Sequence, residues 1–194
     1  IEAIEDAYRE WDGGRAAIRP KTNLYVYNLS EEETTRYNFA SMEGGVQKLG
    51  LAAIRMRSDL QYDILDRSRA TNPRRVGRDS KFCGLVFFFD TRSGLPLAIV
   101  NDGYLQHARV AACAGIAAKY LARTDASTLC LLGSQWMART HALAFCAVRP
   151  IKLIQVYSPN REHREEFCRE MEAKLGVEVR PKENAAEAVE GADI

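Results

Sequence analysis

A chain of 194 residues, 46% hydrophobic and 27% charged, has the composition of a globular protein with one domain or two small ones. Its 27 Lys and Arg against 26 Asp and Glu leave a formal net charge of +1, which excludes the basic excess of a general nucleic-acid binder. No apolar run approaches the ~18 residues of a membrane helix and no signal-peptide pattern opens the chain, so a cytoplasmic protein without membrane partners is expected.

The first element is a helix: Ile1, Ile4, Tyr8 and Trp11 fall at helical spacing, and "DGG" ends the run. "TNLYVYNL" and "GLAAIRMRSDL" follow as strands. Residues 61–80 are mostly polar, contain Asn72-Pro73 and Gly77, and are expected to form a long functional or interface loop. The stretch 55–78 holds seven arginines but also Asp59, Asp63 and Asp66, which argues against a nucleic-acid surface. "KFCGLVFFFDTRSGLPLAIVNDG" predicts a hairpin turning at Ser93-Gly94, its unbroken run Leu85–Phe89 suggesting a strand buried on both faces. "YLQHARVAACAGIAAKYLAR" predicts a long helix whose small residues allow close packing.

After residues 122–127 the rhythm changes. "TLCLLG", "QWMARTHALAFCAVRP", "IKLIQVYS", "REHREEFCREMEAKLG", "VEVRP" and "NAAEAVEGAD" alternate strand and helix, the pattern of a parallel doubly wound sheet. Residues 1–123 and 124–194 are therefore expected to belong to different domains. The chain opens inside a helical pattern at Ile1 and stops where a strand is starting, and is expected to be part of a longer protein. The five cysteines Cys83, Cys113, Cys130, Cys146 and Cys168 are far apart, as reduced thiols would be. His107, His141 and His163 show no metal-ligand spacing, and no metal is expected.

The strand ending at Gly133 runs into a helix, which aims unpaired N–H groups and the positive end of the helix dipole at the space above the turn. Such a site suits a pyrophosphate. In the pattern G-x-G-x-x-G/A the three positions here are Gly133, Gln135 and Ala138, so a side chain replaces the middle glycine. Gly133, Ser134, Gln135, Trp136 and Met137 are the candidate phosphate turn. If Gln135 needed positive φ, strain of about 1–3 kcal/mol would follow; its amide, alternatively, is able to donate to a phosphate. At the end of the second strand of this sheet, "VYSPNREHR" offers Ser158, Asn160 and Arg161 and no carboxylate before Glu162, which favours NADP(H) over NAD(H).

"GLPLAIVNDGYLQHARVAACAGIAAKYLAR", "LLGSQWMARTHALAF", "IKLIQVYSPNREHREEF" and "AAEAVEGADI" together resemble the ornithine cyclodeaminase/mu-crystallin family. The resemblance implies an N-terminal α/β domain for substrate and dimerisation, a Rossmann-type NAD(P) domain (here only its first half) and a homodimer. It implies an oxidoreductase or cyclodeaminase acting on a small amino or imino acid; the alternative in the same family is a non-catalytic, NADPH-binding crystallin-like paralogue. It places Arg19 and Arg55 with the substrate carboxylate, Arg55 standing where many members have lysine, and Arg109 between substrate and cofactor. Guanidinium groups hold a planar carboxylate through two parallel hydrogen bonds, which suits them to that role. Many members show Gly-x-Gly-x-Gln in the turn, so Gln135 and Met137 are departures. The family's catalytic aspartate falls beyond Ile194, leaving no residue of this chain for that role.

Overall fold

The computed structural model describes residues 1–29, 34–62, 75–76 and 83–194. Its elements in order are α1 (Glu2–Asp12), β1 (Ala16–Ile18), β2 (Thr22–Leu29), β3 (Thr34–Val46), β4 (Leu51–Tyr62), β5 (Arg75–Val76), β6 (Cys83–Asp90) and β7 (Pro96–Asn101). Then come α2 (Gly103–Leu121), β8 (Thr128–Leu132), α3 (Trp136–Cys146), β9 (Leu153–Tyr157), α4 (Arg161–Leu175), β10 (Glu178–Pro181) and α5 (Ala185–Val189). They divide into two compact units, Asp6–Leu105 and Ile1–Glu5 with Gln106–Ile194. The rhythm of the sequence changes after α2, whereas most of α2 falls in the second unit. There its Gly115 lies so close to α3 that an added Cβ would sit 3.2 Å from the Cβ of Ala144.

The first unit is an antiparallel sheet in the order β1-β3-β4-β6-β7, with β2 also on β3 and β5 on β4. Its central strand β3 is absent from the sequence reading. "TTRYNFASMEGGV" mixes polar and small residues and carries two glycines, which blurs the two-residue alternation that marks a strand. Opposite partners share a face. Asn38, Ala40 and Met42 of β3 thus lie with Asp59, Arg57 and Arg55 of β4 and with Val86 of β6. Phe39 and Glu43 lie on the other face with Ser58, Ile54 and Phe87.

The run Leu85–Phe89 is not buried on both faces as the sequence suggests. Val86 is buried, but Leu85 and Phe87–Phe89 are half-buried. One face is polar, and on the opposite face apolar neighbours such as Leu24 and Ile99 are exposed. Of the expected loop 61–80, Gln61 and Tyr62 continue β4 and Arg75–Val76 form β5; its remainder lies outside the described residues.

The second unit carries a parallel sheet in the order β10-β9-β8. At the free edge of β8, Asp193 donates its N–H to the Thr128 carbonyl, and Cys130 donates to the Ile194 carbonyl. The chain therefore passes from one side of β8 to the other, which is the switch point of a doubly wound sheet. Leu129, Ile154, Val156, Phe167 and Met171 make its solvent-free core. Each α4 and α5 N-terminus is capped by an asparagine side chain, Asn160 and Asn184. Cys168 is buried and, through burial and the nearby Glu172 carboxylate, its thiol is pushed up to about 11, so it stays protonated at neutral pH.

Candidate functional site

The glycine turn joins β8 to α3. Gly133 adopts φ 122°, a conformation that side chains disfavour, and donates its N–H to the Tyr157 carbonyl at 2.7 Å. Gln135 sits at the N-cap with φ −89° and ψ −172°. Its backbone is ordinary extended chain, so replacing the middle glycine introduces no positive-φ strain. Its side chain does not cap α3. Ser134 is 1% exposed and, among the described residues, its hydroxyl has no hydrogen-bond partner. An uncapped N-terminus beside a buried, unpartnered hydroxyl has the donor set that an anionic phosphate needs.

Trp136 is the first residue of α3 and is exposed; Met137 lines a cavity of about 380 Å³ with Leu131, Gly133, Gln135 and His141. His141 lies within α3, its Nδ1 2.7 Å from the Met137 carbonyl oxygen one turn earlier. Arg139 secures the turn from below. Its guanidinium donates to the Ser134 carbonyl, lies 2.6 Å from the Glu170 carboxylate and stacks over the Phe167 ring. Glu170 is therefore engaged across helices, while Arg161 and Glu165 form an i,i+4 pair at 2.7 Å.

At the end of β9, the three candidate cofactor residues have different surroundings. Ser158 is buried, and its carbonyl accepts from the buried Arg164 at 3.0 Å. Asn160 is engaged as the α4 cap, accepting the His163 N–H at 3.0 Å. Arg161 is exposed and paired with Glu165.

In the first unit, the structure does not bring Arg19 together with Arg55. Ile18 pairs with Gly44 and Thr22 with Ser41, so four steps on one strand face three on the other. This bulge, which contains Pro20, flips the side-chain alternation. Arg19 then faces Glu43, with Nε 3.6 Å from its carboxylate, and lines a groove of about 570 Å³ on the apolar face. Lys21 faces Arg55, Arg57 and Asp59 instead. Partial burial, then repulsion from Arg57 and Arg55, lowers its ammonium below the usual lysine range.

Arg55 is mostly buried and donates through Nε, at 2.7 Å, to one oxygen of Asp102, which is 2% exposed, while its Nη2 lies 2.6 Å from the same oxygen as an ion-pair contact. Arg57 Nε lies 2.7 Å from Asp59 Oδ2 as a charge contact without hydrogen-bond alignment. Three cations thus share a face with two carboxylates, and among the described residues no carboxylate lies within ion-pair distance of Lys21. Among the described residues, the face therefore carries one cation more than it carries carboxylates. Sequence reasoning missed Lys21, Arg57 and Asp102. Asp102 had a visible signal, since "NDG" between strand and helix marks a helix start, but its pairing with Arg55 is tertiary. Arg109 lies exposed on α2 in the other unit. Among the described residues no cluster of ligands could hold a metal, and no helix is long and apolar enough to cross a membrane.

The family model described as "Ornithine cyclodeaminase/mu-crystallin family" matches residues 65–194. The chain belongs to that family. Among its relatives in the ornithine cyclodeaminase/mu-crystallin family, a Delta(1)-pyrroline-2-carboxylate reductase of Bacillus cereus is 29% identical over 97% of this chain and 53% of its own length. An ornithine cyclodeaminase of Agrobacterium fabrum is 37% identical over 54% of this chain and 29% of its own. The solved Thermococcus litoralis Delta(1)-pyrroline-2-carboxylate reductase, in complex with NADH and L-proline, superposes with a TM-score of 0.75 at 26% identity. That match covers 99% of this chain and 54% of the reductase. The chain thus spans about half the length of these two reductases. The shared architecture is the antiparallel sheet followed by the parallel sheet, and both the glycine turn and the basic face lie within it.

Proposed function

We propose that this chain belongs to an NAD(P)-dependent oxidoreductase or cyclodeaminase acting on a small amino or imino acid. The observation that carries the reading is the basic face, where, among the described residues, Lys21, Arg55 and Arg57 gather beside the carboxylates of Asp59 and Asp102. The compounds for which the relatives are named or with which they were solved, an imino acid, ornithine and proline, all bear a carboxylate next to a C–N bond.

In this reading residues 1–123 hold the substrate and the dimer contact, and 124–194 form the first half of the cofactor domain. Lys21, Arg55 and Arg57 hold the carboxylate, and Asp102 keeps Arg55 in place. Arg109 remains a candidate for the space between substrate and cofactor. Gly133, Ser134, Gln135, Trp136 and Met137 form the pyrophosphate turn. When bound, a nicotinamide cofactor supplies hydride exchange at the carbon bearing nitrogen. Ser158, Asn160 and Arg161, with no carboxylate at the end of β9, favour NADP(H). The apolar face carrying the exposed Leu24, Val26 and Ile99 suits a homodimer contact. We place the protein in the cytoplasm.

The test is binding by the full-length protein. Trp136 fluorescence follows titration with NADPH and NADH, and proline or a cyclic imino acid is added to the complex. Saturation by either dinucleotide, then by the carboxylate ligand, is the expected result; absence of both overturns the reading. Dinucleotide binding without turnover of any amino or imino acid would leave the crystallin-like alternative. Lys21→Met should weaken the carboxylate ligand about tenfold or more. The protonated lysine binds the carboxylate, so affinity should fall as pH rises through a lysine titration that begins below the ordinary range. That alkaline limb should vanish in Lys21→Met; a limb unchanged in the variant would remove Lys21 from the site.

A further inference from the structure

Gln135 stands where the dinucleotide-binding pattern has a glycine, and its side chain leaves the helix it precedes. It crosses from the end of β8 to the start of α4, where Nε2 lies 3.4 Å from His163 Nδ1. His163 is placed by its own backbone, since its N–H donates to the Asn160 cap at 3.0 Å. The bridge therefore joins the first turns of two helices of 11 and 15 residues that follow neighbouring parallel strands. Beside it are the uncapped N-terminus of α3 and the unpartnered Ser134 hydroxyl.

We propose that His163 is a positioning residue for the Gln135 amide, and that this amide replaces the close backbone approach a glycine would allow to the cofactor pyrophosphate. The inference rests on the cofactor reading above. A primary amide has two N–H bonds. With Nδ1 as the acceptor, one is given to His163, which fixes the amide plane, and the other is left to donate to a pyrophosphate oxygen. A lone glutamine at this exposed position would sample several rotamers, and ordering it on binding would cost affinity. His163 removes much of that cost before the ligand arrives. Because the pyrophosphate is common to NADH and NADPH, the pair acts on both alike, whereas Asn160 and Arg161 bear on the difference between them.

The experiment is a double-mutant cycle on the full-length protein, with dinucleotide Kd read from Trp136 fluorescence and folding from thermal unfolding. Gln135→Ala and His163→Leu should each weaken NADH and NADPH about three- to tenfold at unchanged melting temperature. The double variant should lose no more than either single variant. His163→Asn, which retains an acceptor for the amide, should recover most of the loss. Kd values that do not move, that improve when the Gln135 side chain is removed, or that rise multiplicatively in the double variant overturn the proposal while leaving the cofactor reading intact. A wild-type protein that binds neither dinucleotide overturns both.

Discussion

Replacing Asp102 with alanine is expected to destabilise the first unit by about 3–5 kcal/mol and to weaken binding of a carboxylate ligand. Asp102 is almost wholly buried, and Nε and Nη2 of Arg55 converge on one of its oxygens. Removing one partner of a buried ion pair leaves the other charge uncompensated, and that penalty is larger than the net worth of the pair. Chemical denaturation measures the loss. A companion variant separates folding from function. Arg55→Met combined with Asp102→Leu removes both charges and should recover most of the stability, since an apolar pair of similar volume is close to neutral. It should not recover carboxylate affinity. If Asp102→Ala unfolds within about 0.5 kcal/mol of the parent, which is the usual range for surface substitutions, the pair is not a buried one. If the double variant binds carboxylate normally, Arg55 is not part of the site.

Phe167→Ala should be as damaging in the second unit. Phe167 is fully buried among Leu129, Ile154 and Met171 between α4 and the parallel sheet, and truncating such a ring costs about 3–5 kcal/mol in lost burial and cavity formation. The functional cost is indirect. Arg139 stacks over the Phe167 ring while holding the Ser134 carbonyl and the Glu170 carboxylate. Emptying the space beneath it loosens the glycine turn, and dinucleotide affinity should fall together with stability. Hydrogen exchange reads the two effects in one experiment. Amides of β8–β10 should lose protection, while those of the antiparallel sheet in the other unit keep theirs. Phe167→Leu should show the same pattern at a smaller amplitude. Equal loss of protection in both units would mean that they unfold together, contrary to their separate cores.

Much of the second unit was legible in the chain because its information is local. Alternating strand and helix patterns and Gly133 before a helix each act within a few residues of themselves. The parallel pairing follows from that alternation, whereas the strand order and the switch at β8 come from the structure. Strand β3 was not legible, since its glycines and small polar residues are tolerated only because strands on both sides supply the pairing. The three-arginine site was only partly legible. Arg55 stands on the basic face, but Arg19 does not, because one extra residue at Pro20 reverses the alternation and turns Lys21 to that face in its place.

The sequence by itself carried the resemblance to the family, and it determined the parallel doubly wound sheet and the glycine turn ahead of a helix, because these last two are written in short-range periodicity and in glycine placement. Only the tertiary structure decided which charges meet: Lys21 with Arg55 and Arg57, Arg55 with Asp102, Gln135 with His163. Those partners lie from 28 to 47 positions apart where the hydrogen bonds are direct. Strand register, bulges and helix packing set such meetings, and no local pattern encodes them.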